Sequence, residues 1–224
     1  CATLNLAACG AQAARLWDTY DKSFADQCLD AAKKAYAAAK KHPDLYAPLD
    51  QSIGGGPYGD NDATDEFYWA ACELYLTTGD ASYLKDMKAS AHYLSVPVTL
   101  SGGEDVDTPG SFDWGNTAAL GTLSLALFGE SQDKTIASDA AKAVSDAADT
   151  HLQRESEQGY GQPFGQSTLS NSDSDTGYVW GSNSFVADNA VVLACAYDLT
   201  GEQKYLDGVM SAADYLLGCN PMDV

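Results

Sequence analysis

A turn written twice sets the terms on which this chain can fold. Glu73-Leu-Tyr-Leu-Thr-Thr-Gly-Asp-Ala-Ser-Tyr83-Leu84 and Ala196-Tyr-Asp-Leu-Thr-Gly-Glu-Gln-Lys-Tyr205-Leu206 each run from a helix end through Thr-Gly to an acid, two further residues and Tyr-Leu. Glycine closes a helix in the left-handed conformation without a Cβ penalty, and the acid after it favours the next helix start. A connection this short leaves its two helices no arrangement but antiparallel neighbours. Looser copies occur at Leu127-Phe-Gly-Glu-Ser-Gln-Asp-Lys and Leu16-Trp-Asp-Thr-Tyr-Asp-Lys-Ser, so the chain reads as four αα-hairpins.

Apolar periodicity places the eight helices at about 2–17, 23–41, 63–77, 81–93, 114–128, 132–153, 182–199 and 202–217. In the last, Tyr205, Val209, Ala212, Ala213, Leu216 and Leu217 share one face, with Gly218 placed for a left-handed cap. Pro43 marks the close of the second. Val96–Leu100 is the best strand candidate, and its Pro97 argues against it, so the fold class is all-α. The links between hairpins, about 42–62, 94–113 and 154–181, are long and rich in Gly, Asp, Ser and aromatics. Loops of that length in a compact domain are functional or disordered. Short turns and long loops alternate, so all short turns fall on one face and all long loops on the other. One side is a plain scaffold and the other a candidate binding surface, the layout of an αα-toroid rather than a simple bundle.

At 224 residues the chain suits one large domain, 1–224, in preference to two small ones. A chain of this size buries about 70% of its unfolded surface and needs no staples. Its 32 acidic and 12 basic residues give a net charge of -20. That field repels nucleic-acid phosphates and anionic membrane surfaces, so neither is an expected partner. It is compatible with neutral ligands such as sugars, with divalent cations, or with nothing more than a solvated surface. The sequence has no signal peptide and no apolar run of about 18 residues that would span a membrane. The cysteines form no CxxC pair and no zinc pattern with His42, His92 or His151. Cys9, Cys28, Cys72 and Cys195 stand among alanines and leucines and are expected as buried thiols, the histidines as surface or capping residues. There is no GxSxG elbow, P-loop or GxGxxG, and Gly54-Gly55-Gly56-Pro57 follows no strand. The start at Cys1, without Met, is that of a clipped or partial sequence.

Four stretches carry a resemblance. They are Gly54-Gly-Gly-Pro-Tyr-Gly-Asp-Asn-Asp-Ala-Thr-Asp-Glu-Phe-Tyr-Trp-Ala-Ala71, Ser111-Phe-Asp-Trp-Gly-Asn116, Trp180-Gly-Ser-Asn-Ser-Phe-Val-Ala-Asp-Asn-Ala-Val-Val-Leu-Ala194 and Asp214-Tyr-Leu-Leu-Gly-Cys-Asn-Pro221. In order, and over essentially the whole chain, they resemble the catalytic domain of glycoside hydrolase family 9. The variant is similar to the branch that includes clostridial cellulosomal cellobiohydrolases and endoglucanases. The resemblance implies a secreted, extracellular cellulase, with room for appended binding or dockerin modules in the parent. It implies a fold of six αα-hairpins closed into an (α/α)6 toroid, about four of them present, with β-1,4-glucan or cello-oligosaccharide across the loop face. It also implies that 1–224 is an incomplete catalytic domain. The family's Asp-Ala-Gly-Asp motif, which positions the attacking water, lies N-terminal to the matched region; its acid Glu and a His-His-Arg motif lie beyond the Asn-Pro. None of these motifs occurs here. Inverting hydrolysis needs one carboxyl as acid and one as base, with room for a water. No catalytic residue is therefore assigned, and the chain alone is not expected to cut glucan.

Asp60-Asn-Asp-Ala-Thr-Asp-Glu66 puts four carboxylates and an amide into seven residues at a loop-to-helix junction. Hard oxygen ligands so concentrated suit calcium; a helix N-terminus also recruits acids through its dipole with no metal. The register is not an EF-hand. The resemblance implies a structural Ca2+ held by the side chains of Asp65, Glu66 and Asp113 and by main-chain oxygens near Asn61 and Asp62. Ser172-Asp173-Ser174-Asp175 is a weaker second cluster.

Glycan clefts use aromatic platforms, and Tyr58, Trp114, Tyr178, Trp180 and Phe185 lie in or beside the long loops. The same rings could instead pack the loops onto the barrel. Trp180 matches a stacking aromatic of the family and Tyr58 lies near another, whereas Phe185 falls where some members have Tyr. For Trp114 and Phe185 core packing is the stronger expectation, as it is for Trp17 and Trp69. Two other functions fit the same features: a different αα-toroid enzyme acting on carbohydrate, and a glycan-binding helical domain without catalysis.

Overall fold

The computed structural model describes residues 1–47, 59–101, 106–166, 178–179 and 181–222. Among them the chain forms α1 (Ala2–Trp17), α2 (Lys22–Lys41), α3 (Thr64–Thr78), α4 (Ala81–Ala89), α5 (Ala118–Phe128), α6 (Lys134–Glu157), α7 (Ser182–Thr200) and α8 (Gln203–Leu216). A 3-10 turn, Gly129–Ser131, links α5 to α6. Helices pair in sequence order, α1 with α2 through α7 with α8.

The repeated turn behaves as its glycine dictates. Gly79 and Gly201 both take left-handed backbone, at φ 67° and 70°. Their N–H groups donate to the carbonyls of Tyr75 and Tyr197 at 2.8 and 2.7 Å. Asp80 then caps α4 by accepting from the Ser82 N–H. At the looser copies Asp21 caps α2 and Asp133 caps α6 in the same manner, each satisfying amide donors the first helical turn leaves open.

Several expected limits move, each for a local reason. α4 ends at Ala89 instead of 93: the Ser90 side chain accepts the His92 N–H, and the chain turns away through Leu94 at φ 54°. α5 starts at Ala118 instead of 114 because the Asp113 carboxylate accepts the Gly115 N–H, and Asp113 pairs with Asn116 in an isolated bridge. α6 continues to Glu157, since no breaker comes before Gly159. Gly218 has a φ of 139°, positive but wide of the left-handed helical cap expected there.

Packing sorts the helices into two tiers. α3 lies between α1 and α5, and α7 follows α5; α2, α4, α6 and α8 back them. The inner helices α3 and α5 are buried on nearly every side, from Tyr68 and Ala70 to Leu76 and from Ala118 to Ala126 with Leu120 half-buried. They approach so closely that a Cβ on Gly121 would lie 3.0 Å from Cys72 Sγ and 3.2 Å from Trp69 Cα. Within this apolar contact sits the fully buried Glu73 of α3. Arg15 donates to it at 2.8 Å, Trp69 Nε1 at 3.3 Å and Ser124 from α5, so one carboxylate joins α1, α3 and α5. Each of α3, α5 and α7 is entered from a long loop and left by a short turn. Their N-terminal ends therefore share the long-loop face, and at its α7–α8 part lies a second small core of Leu100, Phe164, Phe185, Val186 and Ala212.

Other expectations are corrected. Trp17, the last residue of α1, is half exposed and packs edge-on against Tyr20 and Phe24 instead of entering the core. Trp69 does pack against the core as expected, half-buried. Of the thiols expected to be buried, Cys72 is, in the contact between α3 and α5; Cys28 and Cys195 are half-buried and Cys9 is exposed. His151 is fully buried instead of lying at the surface. Among the described residues no helix is long and apolar enough to cross a membrane.

Candidate functional site: the rim of the long-loop face

The acidic junction occupies the start of α3. Asp65, Glu66 and the loop residue Asp113 are buried, at 5%, 1% and 8% exposure, whereas Asn61 and Asp62 are exposed. Asp65 Oδ2 accepts from the Thr117 N–H at 2.6 Å and from Thr117 Oγ1 at 3.1 Å. Thr117 is the N-cap of α5, so this acid does serve a helix N-terminus, but that of the neighbouring inner helix. Asp60 and Asp62 fold the segment before α3 by accepting from the N–H groups of Asp62 and Thr64, each at 2.9 Å.

Glu66 is different. Its Oε2 is buried without a hydrogen-bond partner. Burial, and then the charge of Asp65, push its carboxyl up to about 8. Burial likewise raises Asp60. Among the described residues, Cys1, Asp60 and Glu66 bring one ligand atom each within 4.8 Å of one another. Asp65 and Asp113, from the set the resemblance implies, do not join that trio.

The aromatic candidates separate by burial. Trp114 stands 41% exposed at the tip of the turn before α5. Tyr178 is 47% exposed; its Oη donates to Gln158 Oε1 at 3.3 Å and accepts from Gln162 Nε2 at 3.1 Å. Its ring leans on Phe164 at 5.8 Å, and Phe164 stacks on Phe185 at 5.4 Å. Phe185 is only 2% exposed and belongs to the core beneath the loops, so this ring offers no open face to a sugar. Tyr58, Trp180 and the Ser172–Asp175 cluster lie outside the described residues. Among the described residues, clefts open on this face. One of about 360 Å³ lies among Tyr36, Thr64, Phe67 and Asp86, and one of about 460 Å³ among Asn183, Tyr215, Asn220 and Met222.

A buried pair escaped the sequence reading. Ser111 Oγ and His151 Nε2 share a hydrogen bond of 2.8 Å, and both residues are fully buried. Burial, with Arg154 adding repulsion, pulls His151 down to about 3, so the imidazole is neutral and pins the loop to α6. The only hint in sequence is that Ser111 opens the Ser-Phe-Asp-Trp-Gly-Asn stretch; nothing marks its partner 40 residues on.

Comparison with known proteins agrees with this architecture. A family model described as glycosyl hydrolase family 9 matches residues 1–224. The chain is 46% identical over 230 residues to a cellulose 1,4-beta-cellobiosidase of Acetivibrio thermocellus, covering 99% of this chain and 25% of that protein. It is 41% identical over 224 residues to endoglucanase C of Cellulomonas fimi, covering 99% of this chain and 19% of that one. The crystal structure of the family 9 endoglucanase J30 superposes with a TM-score of 0.80 at 26% identity, over 99% of this chain and 37% of that chain. The chain thus spans a quarter or less of the length of these two relatives. The fold is a partial (α/α)6 barrel.

Proposed function

Because the chain belongs to glycosyl hydrolase family 9 along its whole length, we propose that the protein carrying it is a secreted cellulase. It hydrolyses β-1,4-glucosidic bonds in cellulose or related β-glucans with inversion, and residues 1–224 form one incomplete catalytic domain that supplies a wall of the cleft. The observation that carries this reading is the rim: Trp114 and Tyr178 stand half exposed where the inner helices α5 and α7 are entered. Flat rings beside a hydrogen-bonding group such as Gln158 match the apolar faces and hydroxyl edges of a glucan. Inversion requires acid and base carboxyls about 6.5–9.5 Å apart with a water between them. No carboxylate of this chain matches either role, so cutting belongs to the whole protein. Binding or dockerin modules beyond these residues are compatible with this reading.

A calcium ion belongs to the same proposal. Asp65, Glu66 and Asp113 would hold it with their side chains, and Asn61 and Asp62 with main-chain oxygens. Support comes from the burial of three carboxylates in one region, a cost that a cation offsets. Bound there, the ion supplies charge and ties the start of α3 to the loop before α5.

The test pairs cello-oligosaccharide binding with reducing-sugar release in the full-length protein. Trp114→Ala is expected to weaken binding about tenfold, the equivalent of about 1.4 kcal/mol. Calcium chelation is expected to lower the melting temperature. Binding without sugar release by the whole protein would favour a glycan-binding domain that does not cut; absence of both would sink the reading.

A further inference from the structure

We infer that Gln162 is a positioning residue for glucan binding: buried beneath the rim, it holds Tyr178 so that the ring meets a sugar already oriented. The role rests on the cellulase reading, in which Tyr178 is a platform. Gln162 is 3% exposed and so reaches no substrate. Its Nε2 donates to Tyr178 Oη at 3.1 Å and to Gln158 Oε1 at 3.5 Å, and Tyr178 Oη donates to the same Gln158 oxygen at 3.3 Å. A phenol has one proton to give, and here Gln158 takes it. The hydroxyl is therefore turned toward the protein, and what Tyr178 offers a sugar is its ring. That ring is half exposed and leans on the fully buried Phe164. Hydroxyl and ring are held by different partners, which leaves the side chain little freedom.

Gln162 is itself fixed from both sides. Ser211 of α8 donates to the Gly161 carbonyl at 2.7 Å, and Asn189 of α7 donates to the Pro163 carbonyl at 2.9 Å. Gly161 admits no side chain at this approach: its φ is 64°, and a Cβ there would lie 2.6 Å from Ser211 Oγ. Two helices thus clamp the backbone on which Gln162 stands. Stability alone does not account for the residue, because its Oε1 is buried and, among the described residues, accepts nothing. An unpaired buried amide oxygen carries a desolvation penalty that an apolar side chain of the same size avoids. What the amide contributes is a fixed Tyr178, and a ring ordered before binding lowers the entropy lost on binding. No sequence pattern marks the pair, because Gln162 and Tyr178 stand 16 residues apart.

The experiment measures cello-oligosaccharide affinity by calorimetry, and melting temperature, in the full-length protein carrying Gln162→Met, Tyr178→Phe or both. Methionine matches glutamine in length and removes the amide; phenylalanine keeps the ring and removes its anchor. Each single variant is expected to weaken binding about threefold to tenfold, the cost of ordering one side chain in the complex. The double variant should bind like either single one, because both changes break the same tie. The melting temperature of Gln162→Met should be unchanged or higher, since Gln158 and Tyr178 both reach water once released. Losses that multiply in the double variant would mean that the hydroxyl meets sugar on its own account, and would overturn the assignment. So would native affinity in either single variant. A loss of affinity in Gln162→Met matched by a lower melting temperature would make the residue a structural tie and overturn it as well. A native protein that binds no cello-oligosaccharide would remove the cellulase reading and this role together; in each of the other failures that reading stands.

Discussion

At the scale of single residues, burial decides more than charge does. Asp62 and Glu66 are four residues apart in one acidic run, yet the first is exposed and the second sealed, with its carboxyl pushed up to about 8. His151 shows the opposite sign. Its folded value, lowered to about 3, lies below the ordinary 6.5, so between those values the unfolded chain binds a proton that the folded one refuses. Its contribution to stability is present above about 6.5 and is lost as pH falls toward 3. Melting temperatures measured over that range should therefore decline more steeply for the native protein than for His151→Gln, which cannot take up the proton. Equal slopes would place the acid sensitivity elsewhere.

At the scale of elements, the hairpin turns offer a controlled comparison. Gly79 and Gly201 share the same left-handed backbone, but a Cβ on Gly79 would meet Gln132 Oε1 at 3.1 Å, and one on Gly201 would meet nothing within 4 Å. Gly201→Ala should cost only the backbone strain, about 1–2 kcal/mol. Gly79→Ala should cost that and the displacement of Gln132, whose Nε2 donates to the Leu76 carbonyl at 3.2 Å. Urea midpoints of the two variants in one background read the difference directly. The turns themselves were legible because glycine's φ freedom is a local property. The ends of α4 and α5 were not, because Ser90 and Asp113 accept nearby amides in competition with the helix, and apolar periodicity carries no record of that.

At the scale of the whole molecule, the partial ring leaves apolar surface in solvent. Leu6, Trp17, Tyr20 and Phe24 are exposed on the first hairpin, and Val191, Met210 and Leu217 on the last. Patches of this kind drive association. Residues 1–224 expressed alone should self-associate, as light scattering on a sizing column would report, and Leu6→Lys with Val191→Lys should shift the distribution toward monomer. A soluble monomer with one sharp cooperative melt would contradict this.

The sequence by itself determined the αα-hairpins, their order and the face that carries the long loops, because caps, glycines and helical periodicity act over a few residues. It also marked the acidic junction and the loop aromatics as the places to look. Only the tertiary structure decided which of these groups share a site. Phe185 went into the core, Asp65 to the cap of another helix, and Glu66 toward Cys1 and Asp60. Each outcome depends on which surfaces the helices bury against one another, and that is fixed by contacts between residues roughly 20 to 65 positions apart.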